Sequence, residues 1–108
     1  MSKLYIAVLD EFPDYMTPTL VAHAVLGAHI QFMNDEDYHL WLIGSFKKCV
    51  VRVSQKEFDK IAALEKVYLA HENRTLEARK ACAVVCPRIE TPNVLKWAKL
   101  WKPSVETT

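Results

Sequence analysis

The 108-residue chain is 51% hydrophobic, 10% aromatic and 25% charged, with a formal net charge of +1. Those proportions are enough for one packed core, and they exclude a disordered chain, which would be poorer in apolar residues and more lopsided in charge. No apolar run approaches the roughly 18 residues that a membrane-spanning helix requires.

The opening stretch MSKLYIAVLDEF turns acidic directly after its apolar run. A secretory signal is therefore not predicted, and a cytoplasmic location is. Within that stretch Leu4–Leu9 is apolar on both faces, as in a strand at the centre of a covered sheet. A loop, EFPDYM, follows. Thr17-Pro18 reads as a helix start, with Thr17 as the cap and proline in the first turn. The helix it opens, TPTLVAHAVLGAHIQFMN, is apolar almost all round and is expected to be largely buried.

Asn34-Asp35-Glu36-Asp37 breaks that pattern, and YHLWLIGSF is ambiguous between strand and short helix. Lys48–Val53 is a second strand. Ser54-Gln55-Lys56-Glu57 has the form of a capping box and opens a helix carrying Phe58, Ile61, Ala62, Leu64 and Leu69, whose end the pattern leaves open. Residues 67–71 read either as the end of that helix or as a short strand, and Glu72–Lys80 is polar. Ala81–Cys86 is a buried strand stopped by Pro87. Thr91-Pro92 repeats the threonine-proline signal, after which Val94, Trp97, Ala98 and Trp101 fall at helical spacing and predict a closing helix with both tryptophans in its apolar stripe. Strands alternating with helices predict an α/β protein, a three-layer α/β/α sandwich on a mixed, mostly parallel four-stranded sheet. A single domain over residues 1–103 and a disordered tail over 104–108 are expected.

Charge is unevenly distributed. Residues 1–45 carry one base, Lys3, against six acids, whereas residues 46–108 carry thirteen bases and seven acids. A basic face suited to a polyanion is one reading, and ordinary solvated lysines are the other. Cys49, Cys82 and Cys86 cannot all pair and sit in apolar stretches, which predicts reduced core thiols. No metal or other cofactor is predicted. The chain has only two glycines and no phosphate-cradling loop, no HExxH and no GxSxG.

His23 is the residue whose chemistry stands out. It lies in the second turn of a helix that is otherwise aliphatic, where an imidazole is either a packed histidine satisfied on both nitrogens or a base or donor available at neutral pH. His29 lies near the far end of the same helix, His39 in the ambiguous segment and His71 beside a polar stretch, and for each the packing role is the stronger reading. Several segments in succession carry a resemblance: KLYIAVLDEF, the helix containing AHAVLGA, then Tyr38, Trp41 and Gly44 ahead of KKCVVRVS, then Arg74-Thr75 in a polar loop, then ACAVVCP and a closing helix. Over about 100 residues this succession resembles the class II peptidyl-tRNA hydrolases, small α/β proteins with a mixed sheet. The resemblance implies hydrolysis of the ester that joins a peptide to the terminal ribose of tRNA.

By the same resemblance His23 and Thr75 fall on catalytic positions. Thr17, Thr19, His71, Arg74, Arg79 and Lys80 fall where substrate would be held. The chain departs from the family where lysine, glutamine and aspartate are usual: Met16, Leu20 and His71 stand near those positions, and no lysine or arginine occurs between Lys3 and Lys47. Three functions are therefore set side by side. The first is ester hydrolysis of peptidyl-tRNA. The second is binding of tRNA, another RNA, the ribosome or a protein through the basic 74–102 surface without turnover. The third is self-association of the chain through a sheet edge or Trp41. No membrane partner is predicted.

Overall fold

The structure is a computed structural model that describes residues 2–71 and 80–104, together with the backbone alone at Glu72 and Arg79. It is an α/β protein. Its described elements are β1 (Lys3–Leu9), a 3₁₀ turn (Asp14–Met16), α1 (Thr17–Phe32), α2 (Glu36–Ile43), β2 (Lys47–Val53), α3 (Gln55–Ala62), β3 (Val67–Glu72), β4 (Arg79–Val85), α4 (Asn93–Lys96) and β5 (Lys99–Leu100). The five strands form one mixed sheet in the order β3-β4-β1-β2-β5.

β1 is central because both of its faces are apolar. Leu4, Ile6 and Val8 join Ala24, Ala28, Phe32, Tyr38 and Trp41 in one core cluster, so α1 and α2 pack on that side. Ala7 and Leu9 join Val51, Val53, Phe58, Ile61 and Leu95 in a second cluster, so α3 and α4 pack on the other. Cys82 and Val84 of β4 alternate with Ala83 and Val85 in the same way, as the two-residue period of a strand requires.

The sheet corrects two expectations. Among the described residues it has five strands rather than four, and β1–β2 is the one parallel pair; β1–β4, β3–β4 and β2–β5 are antiparallel. Parallel neighbours need a long crossover, and only β1–β2 has one, formed by α1 and α2. β5 is reached from β4 through residues 86–98, which include α4, and it runs in the direction of β4, antiparallel to β2.

Helix starts divide cleanly. The Ser54 box is complete: the Glu57 N–H donates to Ser54 Oγ at 3.2 Å and the Ser54 N–H donates to Glu57 Oε1 at 2.9 Å. Asp35, expected only to break a pattern, caps α2 by accepting the Tyr38 N–H at 3.1 Å. The two threonine-proline signals are corrected. α1 continues directly from the 3₁₀ turn with Met16 at its cap in helical geometry, so Thr17 is the first helical residue and is buried. At α4 the cap position is Pro92, with no side-chain cap bond.

The closing helix is also shorter than its stripe predicts. It ends at Trp97, whose φ of −108° and ψ of 4° leave the helix before the chain enters β5. Trp97 is 85% exposed instead of in the core. Val94 and Ala98 pack on the α3 side, whereas Trp101 reaches the α1 side. Among the described residues no helix is long and apolar enough to cross a membrane. Ser104, placed by sequence in the tail, donates its N–H to Asp14 Oδ2 at 2.6 Å.

Candidate functional site

α1 presents its apolar residues Leu20, Ala24, Ala28 and Phe32 to the sheet, spaced by four along one face. His23 is one position before Ala24, about 100° round the helix from that seam, and is exposed. Thr19 lies one turn earlier on the same exposed side, where residues four apart are neighbours. Thr17 is buried at the head of the helix. His29, further along, is hydrogen-bonded through Nδ1 to the Tyr38 hydroxyl at 2.9 Å, tying α1 to α2. Burial, and then the nearby Cys86 thiol, raises the Tyr38 pKa, so that phenol stays protonated.

Of the other sequence-predicted residues, His71 and Lys80 are not gathered around His23. His71 and Lys80 are register partners across β3 and β4, where the pairing skips Ala81, and both are exposed. Lys80 lines a cleft of about 280 Å³ with Gln55, Phe58, Asp59, Ala62 and Leu69. Cross-strand partners share a face, so His71 and Lys80 belong to the α3 side of the sheet and His23 to the α1 side. Arg74 and Thr75 lie outside the described residues, as does the side chain of Arg79.

Two groupings were missed from sequence, and a third, within the basic 74–102 surface, was read without its exposed tryptophan. The first lies at the C-terminal ends of the parallel strands β1 and β2, the end at which open α/β sheets place ligands. Arg52 Nη1 contacts Asp10 Oδ1 at 2.9 Å and Asp14 Oδ1 at 3.2 Å. Arg52 Nη2 donates to the Lys102 carbonyl at 2.6 Å, and the guanidinium lies 5.0 Å from the Trp101 ring centre. A cleft of about 460 Å³ opens here, lined by Asp10, Phe12, Pro13, Asp14, Arg52 and Ser104. The Ser104 N–H and then Arg52 hold the Asp14 carboxyl below its usual range, while Asp14 and Asp10 hold Arg52 all the more firmly charged. The arrangement pins residues 102–104 across the strand ends. Its trace in the sequence is Arg52 itself, the charge that interrupts the apolar run CVVRV.

The second grouping joins α2 to the far end of β4. Lys66, at φ 59°, places Nζ 2.9 Å from Asp35 Oδ2 and 3.2 Å from Asp37 Oδ2. Lys66 draws the Asp35 pKa down, and Asp35 draws that of Lys66 up. Cys86 Sγ lies 3.6 Å from Asp35 Oδ1. Burial first, and the neighbouring carboxylate second, push its thiol up to about 12. Burial does the same to Cys82. Neither is a thiolate nucleophile at neutral pH. Among the described residues all three cysteines are free, and no three His, Cys, Asp or Glu side chains converge to hold a metal ion.

The third is a surface segment. Lys96, Trp97, Lys99, Leu100 and Lys102 are all exposed, so one exposed aromatic residue and three exposed lysines fall within a single segment along α4 and β5. Sequence placed Trp97 inside because the helical stripe was extended past the residue where the helix ends. Trp41, expected as a candidate dimer contact, is instead 3% exposed and donates from Nε1 to the Lys47 carbonyl at 2.8 Å.

In comparisons with known proteins the chain matches no family model and no curated protein sequence.

Proposed function

We propose that this chain is a divergent protein of the class II peptidyl-tRNA hydrolase type, a three-layer α/β/α domain acting in the cytoplasm on the ester between peptide and tRNA. The observation that carries the reading is the solvent-open imidazole of His23, one turn from the exposed hydroxyl of Thr19 on the helix that leaves the central strand. Ester hydrolysis needs a base or positioner for water and a donor for the oxyanion that develops. His23 supplies the first, and Thr19 is the nearest hydroxyl along the helix for the second. The helix is free of Asp, Glu, Lys and Arg from Thr17 to Phe32, so no ion pair competes for the imidazole from its own element.

The test is release of peptide from a peptidyl-tRNA mimic by the full chain. The reading expects multiple turnover, reduced about 100-fold or more by His23→Ala, the lower range for loss of a general base.

A second reading keeps the fold and the RNA partner without the turnover. It is favoured by the placement of Lys80 with Lys56, Lys60 and Lys96 on or beside the elements of the α3 side, and by the exposed Trp97 among Lys96, Lys99 and Lys102. Exposed rings between cations are what single-stranded RNA stacks upon. Under this reading affinity for a tRNA acceptor strand falls steeply with salt and drops on Trp97→Ala, while the wild-type chain releases no peptide.

A further inference from the structure

We propose that residues 101–104 are a strap that clamps the head of α1, with Arg52 as the positioning residue that ties strap to helix. What the clamp does for ester hydrolysis rests on the hydrolase reading; the clamp itself does not. α1 was expected to be largely buried, yet Thr19, His23, Leu26 and Ile30 are exposed, so packing on the sheet holds one side of it. Its start has no local anchor. Asp35 caps α2 and Ser54 caps α3, whereas neither α1 nor the 3₁₀ turn before it has a side-chain cap bond, and no residue of that turn is buried.

Long-range contacts stand where the cap is missing. The 3₁₀ turn leads straight into α1, and its Asp14 accepts from Arg52 through Oδ1 and from the Ser104 N–H through Oδ2. Arg52 can reach it because side chains alternate along a strand. Arg52 shares the side of Val50, which packs in the α1 cluster, whereas Val51 and Val53 face α3. The same guanidinium holds the strap, donating to the Lys102 carbonyl at 2.6 Å and lying 5.0 Å from the Trp101 ring centre. The Trp101 N–H donates in turn to the Val50 carbonyl at 2.9 Å. Strand, strap and turn therefore share one cation. A clamp of polar contacts near the surface opens more readily than the apolar core beneath it. Closed, it fixes the turn from which the first two turns of α1, with Thr19 and His23, are carried.

The experiment is amide hydrogen exchange followed by NMR on the full chain, beside peptide release from a peptidyl-tRNA mimic. Asp14→Ala and Arg52→Gln should each speed exchange about 10-fold or more at Ser104 and at Val21, whose N–H bonds back to Thr17 within α1, because charge-assisted hydrogen bonds are lost. Asp35→Asn, which breaks an ion pair elsewhere, should leave exchange at both amides unchanged. Arg52→Lys should not rescue, since an ammonium lacks the planar fork that spans two carboxylates and a carbonyl. In peptide release, kcat should fall about 10-fold in Asp14→Ala and Arg52→Gln with KM unchanged, since neither residue touches substrate. Ser104 protection retained in both variants overturns the strap. A Ser104 amide that is freed while Val21 is unmoved overturns the clamp on α1, as does full rescue by Arg52→Lys. No cleavage by the wild type overturns the hydrolase reading alone, because the exchange results do not depend on it.

Discussion

The two sides of the sheet are built from opposite materials. On the α1–α2 side the helix is uncharged, and the core is held by aromatic contacts: Tyr38 lies 6.0 Å from Phe32 and 5.3 Å from Trp41, and Trp41 lies 5.3 Å from Phe46, ring centre to ring centre. Lys48 covers the outer end of this row, 3.1 Å over the Phe46 ring. On the α3–α4 side, α3 is a short amphipathic helix with a full capping box that buries Phe58 and Ile61 and leaves Lys56 and Lys60 in water. One side is therefore specified by packing and the other by local sequence signals. The first exposes apolar surface, whereas the second exposes cations.

Truncation on each side gives the largest expected effects. Trp41→Ala removes the centre of the aromatic row and leaves the Lys47 carbonyl without its donor. Phe58→Ala empties the seam under α3. Each should cost about 3–5 kcal/mol in urea denaturation. A loss under about 1 kcal/mol at either position would mean that its face is not packed as described.

Caps sharpen the contrast at smaller scale. Ser54→Ala should cost about 1 kcal/mol because it opens the capping box. Thr91→Ala, at the look-alike signal before α4, should cost less than about 0.5 kcal/mol because its side chain makes no cap bond. Equal losses at the two sites would erase the distinction.

The smallest effect is in acid. The Asp35 carboxyl is held below its usual 3.8 by Lys66. On acidification the unfolded chain therefore takes up this proton first, and the contribution to stability is present above about pH 4 and lost as pH falls through the lowered value. The Lys66 side of the pair, raised above 10.5, loses its contribution only as pH rises past that range. Asp35→Asn should flatten the fall of Tm between pH 5 and pH 3 by a few degrees. An unchanged slope would show that the ion pair is not formed.

These contrasts also explain what could be read from the sequence. β1, β2 and β4 were legible because each is a continuous apolar run with defined stops, and α3 because its capping box is local. The fate of YHLWLIG was not legible, because its inward residues Tyr38 and Trp41 are only three apart and α2 is two turns long. β5 was missed because Trp97 and Trp101 fall in register with a helix that in fact stops at Trp97.

The exposure of His23 was not legible either. α1 is apolar on both sides, and the side the sheet takes is decided by close approach. Ala24 and Ala28 are small, and any side chain added at Gly27 would run into the Tyr68 hydroxyl and ring. The Arg52 cluster depends on residues 42 positions apart, Asp10 and Arg52, meeting at adjacent strand ends, a pairing that only the parallel register creates.

The most direct test of the functional account is single-turnover release of peptide from saturating peptidyl-tRNA mimic, wild type against His23→Ala, with folding of both checked by circular dichroism. The account predicts measurable cleavage by the wild type and a rate constant lower by about 100-fold or more in the variant. Equal rates in the two proteins, or no cleavage by the wild type, would contradict it.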